Sequence, residues 1–220
     1  MDLLQIFTLI TGVIYIIFEI RQKNFMWVVG VVTSLAAMWV FFRQGLYASF
    51  GLNTYYFITA FIGLWHWRRD KNALSSSMSG TTVDSSPASA MSREVEASPD
   101  DIICLNRLTT KTVIISAIAM VIGVFALSWG MEYLNSTGLL TENPMSLLDS
   151  SVAVLSAIAT WWLVKSYREQ WLLWIVADTL SVVLCAMQQM WWMSVLYVAY
   201  VAAAVYGLYY WKKAGVYLAD

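Results

Sequence analysis

The sequence predicts an all-α membrane protein with seven transmembrane helices in a 3+1+3 arrangement: two parallel three-helix repeats joined through an unpaired fourth helix. Composition identifies the solvent. Of the 220 residues, 60% are hydrophobic and 12% charged, with a mean hydropathy of +0.63, which is more apolar than a chain folded in water carries. Segment length sets the helix count. A span takes about 17 to 25 mostly apolar residues, and residues 3–20, 25–42, 50–67, 113–133, 147–164, 171–192 and 195–211 meet that requirement. Internal likeness sets the arrangement. Gly63-Leu64-Trp65-His66-Trp67-Arg68-Arg69 matches Gly207-Leu208-Tyr209-Tyr210-Trp211-Lys212-Lys213, and Tyr56 and Ala60 fall on Tyr200 and Ala204. With a three-residue shift upstream, Trp27 falls on Trp174 and Ser34 on Ser181.

The duplication pairs spans one to three with spans five to seven. Because one extra crossing lies between them, both repeats enter the membrane from the same side and are related by an axis along its normal. Residues 1–69 form the first repeat, 70–112 a linker, 113–133 the linking helix, 134–146 an external loop and 147–220 the second repeat. Duplicated apolar chains of this kind are the usual trace of transporters whose substrate sites lie between the repeats. The linker holds Ser75-Ser76-Ser77, Ser85-Ser86-Pro87 and an acidic run over 94–101. It has little apolar periodicity and is expected to be mostly disordered, with at most a short interfacial turn over 101–108. The first span lacks a basic leading region and a small-residue cleavage site, so it reads as a retained helix.

Lysine and arginine set the orientation, since they stay preferentially in cytoplasmic loops. With the N-terminus outside, twelve of the 13 basic residues are cytoplasmic: Arg21 and Lys23; Arg68, Arg69, Lys71, Arg93, Arg107 and Lys111; Lys165 and Arg168; Lys212 and Lys213. Only Arg43 lies outside. The C-terminus and the linker are then cytoplasmic, and Asn143 is external.

Enzymatic chemistry is sparse. A single histidine excludes a His-x-x-x-His zinc site, there is no glycine-rich phosphate loop, and Cys104 and Cys185 lie too far apart in sequence and placement to suggest a disulfide or metal site. No enzyme, cofactor or metal is predicted. A retinal-type receptor needs a lysine deep in its last span, whereas Lys212 and Lys213 stand only at the end of theirs. His66, among Trp65, Trp67 and Arg68, reads as an interfacial neighbour of aromatic rings more readily than as a ligand.

Polar groups inside spans are costly and so become functional candidates. Asp178 leads them. On a helix Trp171, Trp174, Asp178 and Ser181 share one face, while the matching face of span two carries Trp27 and Ser34, with Val31 where the carboxylate would stand. Asn53, Tyr56, Ala60 and Gly63 share a face of span three, and Tyr197, Tyr200, Ala204 and Gly207 a face of span seven. The candidate substrate-binding residues are therefore Trp27, Asn53, Tyr56, Trp171, Trp174, Asp178, Tyr197 and Tyr200. The competing reading is structural: tryptophan and tyrosine collect at membrane interfaces, and small residues serve helix packing. Glu19 either pairs with Arg21 or snorkels to water, and Asp149 either caps span five or meets a ligand.

Trp171-Leu172-Leu173-Trp174 with Asp178, Gly45-Leu46-Tyr47-Ala48 with Asn53 and Tyr55-Tyr56, and the Gly-Leu-aromatic-aromatic-Trp repeat ends resemble the PnuC family of bacterial vitamin transporters over both repeats. The resemblance implies a fold related to the SWEET sugar transporters, an inner-membrane homotrimer, and facilitated diffusion with the vitamin trapped inside by a cytoplasmic kinase. Two departures bear on substrate. Asn24 stands where the first repeat often has a leading tryptophan, and the Trp-Asn-Trp-Pro-like run of nicotinamide riboside carriers is absent. Phe50 to Tyr56 and Glu19-Ile20-Arg21 look more like the thiamine-transporting PnuT branch. Thiamine is thus the expected substrate and nicotinamide riboside the alternative, and a non-transporting scaffold or receptor subunit is a further one. Both vitamins carry a permanently cationic aromatic ring, suited to tryptophan faces worth roughly 0.5 to 2 kcal/mol each and to the Asp178 carboxylate.

Overall fold

A computed structural model describes residues 14–43, 47–80, 102–138, 146–189 and 191–218. These residues hold seven helices and two short strands. Residues 14–20 are the described part of α1. They are followed by α2 (Phe25–Arg43), α3 (Tyr47–Gly80), β1 (Ile103–Leu105), α4 (Thr110–Ser136), α5 (Ser146–Val164), α6 (Gln170–Met187), α7 (Trp191–Ala214) and β2 (Gly215–Tyr217). Four of them, α4 to α7, are long and apolar enough to cross a membrane.

The chain divides into two compact units. One comprises Met1–Asn106, Val164–Ser166 and Trp211–Asp220, the other Arg107–Leu163 and Tyr167–Tyr210. In the first, α2 packs on α3 where small residues allow close approach. A Cβ on Gly30 would lie 3.6 Å from that of Ala60, and one on Gly63 would come within 2.5 Å of the Trp27 ring. Trp27 also meets Trp67 edge to face, with centroids 5.0 Å apart. In the second unit α4 exposes Ile115, Ile122, Phe125 and Trp129 and buries only Val124, as a lipid-facing helix does. It is tied to α5 at three levels: Trp162 Nε1–H donates to Ser116 Oγ at 3.0 Å, Gly123 faces Val154, and Ser150 Oγ donates to Met131 Sδ at 3.7 Å.

The linker departs from expectation at both ends. Its first part, through Gly80, continues α3 as helix, because extending an existing helix escapes the cost of nucleating a new one. The i,i+4 pair of His66 and Asp70, at 2.9 Å, adds support. Its last part holds β1 in place of a turn, paired in parallel with β2, a C-terminal strand the sequence reading did not anticipate. Residues 81–101, with most of the serine-rich and acidic stretch, lie outside the described residues, as do Asn143 and the start of the first span. Trp191 and Trp192 belong to α7, since the chain turns at Gln188 and at Gln189, whose φ is 59°.

Two turns repeat one geometry. Gln22 (φ 48°) and Ser166 (φ 55°) are left-handed, and the next residue in each donates five residues back, Lys23 N–H to Phe18 O at 2.9 Å and Tyr167 N–H to Trp162 O at 3.0 Å. This is the hydrogen-bonding pattern of a Schellman-type helix stop, 144 residues apart in the chain.

Candidate functional site

In the second unit the buried residues of α6 are Gln170, Trp171, Ala177, Asp178, Ser181 and Cys185. At about 100° per residue they fall in one sector centred on Trp174. The Trp174 ring is half-buried, and its indole N–H is shielded from solvent with no acceptor among the described residues. One turn on, the Asp178 carboxylate is 7% exposed, and among the described residues no hydrogen bond or ion pair to it is present. From α7, Tyr197 and Tyr200 stand edge to face with centroids 5.9 Å apart, and Tyr197 lies within electrostatic reach of Asp178, Cys185 and Asp149. The second unit thus gathers an indole, an uncompensated carboxylate and two phenols, groups that complement a flat cationic ring. Asp149 occupies the first turn of α5, where a negative charge suits the helix dipole.

Trp171, at the edge of the same sector, packs differently. It is fully buried, and a Cβ on Gly207 would come within 2.7 Å of its ring. Trp27, 2% exposed, lies on Gly63 in the same way. These two indoles are packed within their helix pairs. The pairing also corrects the internal register. Trp27 corresponds to Trp171, not Trp174, at the same 144-residue spacing as Gln22 and Ser166, and no shift is needed between Gln22 and Trp67. Ser34, buried like Asp178, then corresponds to it, and Gly30 to Trp174. A Trp-x-x-Trp segment offers two indoles for one, and sequence likeness alone does not say which of them meets the glycine.

In the first unit Asn53 and Tyr56 are half-buried on α3, and the Tyr55 and Tyr56 rings lie 5.7 Å apart. Tyr15 of α1, which sequence reasoning passed over, is within electrostatic reach of Tyr56 and Glu19. Its signal was available in the i,i+4 spacing to Glu19. Glu19 itself is 4% exposed and does not snorkel. Gln170, also passed over, is fully buried with neither side-chain amide atom partnered among the described residues. A polar residue at a span boundary reads as interfacial, so nothing in the sequence marked it. His66 is buried and paired with Asp70. Burial alone would raise the Asp70 carboxyl, but the hydrogen bond and charge of His66, the Asn106 hydrogen bond and the Arg69 charge outweigh it and hold it below the ordinary carboxylate range.

Comparison with known proteins identifies the family. The family model described as nicotinamide mononucleotide transporter matches residues 2–213. The chain belongs to that family. It is 26% identical over 213 residues to the nicotinamide riboside transporter PnuC of Neisseria mucosa, covering 93% of this chain and 70% of that one. Its fold is similar to the crystal structure of the vitamin B3 transporter PnuC, with a TM-score of 0.59 at 22% identity, covering 94% of this chain and 79% of that one. Family membership and the apolar helices make this a multi-pass membrane protein of a transporter family, not an enzyme. The expected thiamine preference finds no support in these relatives, whose descriptions carry vitamin B3 forms instead. The run that looked like the thiamine branch, Phe50 to Tyr56, is a short stretch of one helix and weighs little against likeness over the whole chain.

Proposed function

We propose that the protein carries nicotinamide riboside, or a closely similar cationic vitamin, across the bacterial inner membrane by facilitated diffusion. The observation that carries this reading is the Asp178 carboxylate, on the buried face of a membrane helix one turn from Trp174, with no ion pair to it among the described residues. An intramembrane charge is expensive and is retained where it meets a charged ligand. Likeness to a nicotinamide riboside transporter along most of the chain supports the choice of cation. Trp174, Asp178, Tyr197 and Tyr200, all of the second unit, are the proposed substrate contacts, and Trp171 positions the helices that bear them; in the first unit Asn53 and Tyr56 are a separate set of candidates, on a helix that Trp27 positions. The recurrence of the Trp-on-Gly packing and of the left-handed turn supports the 3+1+3 repeat. A homotrimer and trapping by a cytoplasmic kinase remain part of the proposal on family grounds.

Thiamine is the second reading, favoured by the resemblance of Phe50 to Tyr56 and Glu19 to Arg21 to the thiamine branch. Isothermal titration of detergent-purified protein decides between them. Nicotinamide riboside is expected to bind more tightly than thiamine, and neutral nicotinamide hardly at all. Tight binding of nicotinamide would remove the charge argument.

Uniport follows from the lack of clustered acidic residues in the predicted spans. Labelled vitamin is expected to enter vesicles preloaded with unlabelled vitamin in the absence of any proton or sodium gradient, and counterflow abolished by ionophores would refute it. The basic-residue count predicts an external N-terminus. A cysteine at Asn143 is expected to react with an impermeant maleimide on intact cells, and one at Ser86 only after permeabilisation.

A further inference from the structure

We propose that Gln170 reads the substrate: its side-chain amide pairs with a planar donor–acceptor edge of the vitamin, the carboxamide in nicotinamide riboside, while the cationic ring lies at Trp174 and the ribose at Asp178. The inference deepens the transport reading above and rests on it.

Two fully buried glutamines behave in opposite ways. Gln22 is 1% and Gln170 0% exposed. Gln22 uses both of its amide atoms: Oε1 accepts from Cys104 N–H at 2.7 Å, and Nε2 donates to Cys104 O at 2.9 Å and to Ser166 Oγ at 3.1 Å. Gln170 has no partner for Nε2 or for Oε1 among the described residues. An amide taken out of water without new hydrogen bonds loses its hydration and gains nothing in exchange. Buried side-chain groups with no partner are uncommon for that reason, and one with both its donor and its acceptor idle calls for a ligand that supplies both.

The rest of α6 sharpens the exception. Its hydroxyl side chains satisfy themselves on the preceding turn, Thr179 Oγ1 donating to Ile175 O at 2.6 Å and Ser181 Oγ to Ala177 O at 2.8 Å. The groups that do not are spaced four apart. Gln170, Trp174 and Asp178 fall within about 80° around the helix and span about 12 Å along it. Among the described residues the Gln170 amide and the Trp174 indole N–H lack a partner, and no hydrogen bond or ion pair reaches the Asp178 carboxylate, 7% exposed.

The order of chemistry along this row selects the ligand. It runs from a donor with an acceptor at Gln170, through an aromatic face at Trp174, to an acceptor-only carboxylate at Asp178. A molecule that satisfies the whole row has an adjacent N–H and C=O at one end, a cationic ring in the middle and hydroxyl donors at the other end. Nicotinamide riboside has that order in its carboxamide, pyridinium and ribose. Two amides meet edge to edge in a pair of hydrogen bonds, each filling what the other leaves open. The aminopyrimidine of thiamine presents a like edge, an amino donor beside a ring-nitrogen acceptor, so Gln170 suits either vitamin and rejects an analogue whose edge only accepts.

Titration of the purified full-length protein decides the matter, with 3-acetylpyridine riboside as the probe. That analogue keeps the cationic ring, the ribose and the carbonyl acceptor, but carries a methyl group in place of the amide nitrogen, so Gln170 Oε1 stays unpaired. The parent is expected to bind nicotinamide riboside at least tenfold more tightly than the analogue, since a site built to pair a polar group rejects the ligand that lacks it. Gln170→Leu is expected to lose at least tenfold in affinity for nicotinamide riboside and to bind the two ligands alike. Its thermal midpoint without ligand should match or exceed the parent's, because an unpaired buried amide has been removed. Equal affinity of the parent for both ligands overturns the inference whether or not the variant folds, and leaves the transport reading standing. Folded Gln170→Leu that keeps the parental affinity and preference overturns it as well, assigning the amide to a fixed water or to packing. A clearly lower midpoint without ligand does the same by revealing an internal partner. Failure of the parent to bind nicotinamide riboside at all overturns both readings.

Discussion

Asp178→Asn is expected to bind nicotinamide riboside and thiamine about 1 to 3 kcal/mol more weakly while keeping the parental fold, the range separating charge-assisted from neutral hydrogen bonds. The substitution preserves volume and removes the charge. In the parent the carboxylate is 7% exposed and, among the described residues, unpaired, so no internal ion pair is broken and stability should hold or rise slightly. Trp174→Ala is expected to lose a comparable stacking contribution, roughly 0.5 to 2 kcal/mol, and Trp174→Phe less, because a smaller ring keeps part of the face. Titration of both variants against nicotinamide riboside, with neutral nicotinamide as control, checks the pair. Undiminished affinity in folded Asp178→Asn would return the residue to a packing role and leave recognition to the aromatic rings.

The buried face that carries this candidate site could be read from spacing, because a helix in lipid leaves few alternatives for a buried charge. Asp178 with Trp174 emerged from residues four apart, and α6 does bury that face. The second tryptophan of the motif was harder. Trp171 and Trp174 are indistinguishable by type, and only the missing side chain at Gly207 shows that Trp171 is the packing ring. The β1–β2 pairing was invisible for a different reason: Ile103–Leu105 and Gly215–Tyr217 are separated by more than a hundred residues, and three-residue strands leave no periodicity to detect. Gln22 carried no sign of its role either, since its side chain completes a sheet edge supplied by the far end of the linker. The extension of α3 past Trp67 was missed because polar composition argues against burial and not against helix.

Gly207→Ala and Gly63→Ala are expected to destabilise the protein by about 1 to 3 kcal/mol each, the usual cost of overfilling a packed contact. A new methyl carbon at 207 would fall 2.7 Å from three ring atoms of Trp171, and one at 63 would fall 2.5 Å from Trp27. Neither ring has room to swing aside, as Trp171 is 0% and Trp27 2% exposed. The helices must separate or the indoles leave their wells. Gly51 and Gly130 are the controls: among the described residues nothing lies within 4 Å of a Cβ at either position, so alanine there should be neutral or stabilising by about 0.5 to 1 kcal/mol through helix propensity. Thermal unfolding in detergent, followed by loss of the monodisperse peak, should separate the two pairs. Trp171→Leu in the Gly207→Ala background should recover part of the loss, because the smaller side chain yields the space the methyl needs, with a coupling of about 1 kcal/mol or more by double-mutant cycle. Strict additivity of Gly207→Ala and Trp171→Leu would show that the methyl group is accommodated without the ring, and the register that pairs Trp27 with Trp171 would lose its physical basis.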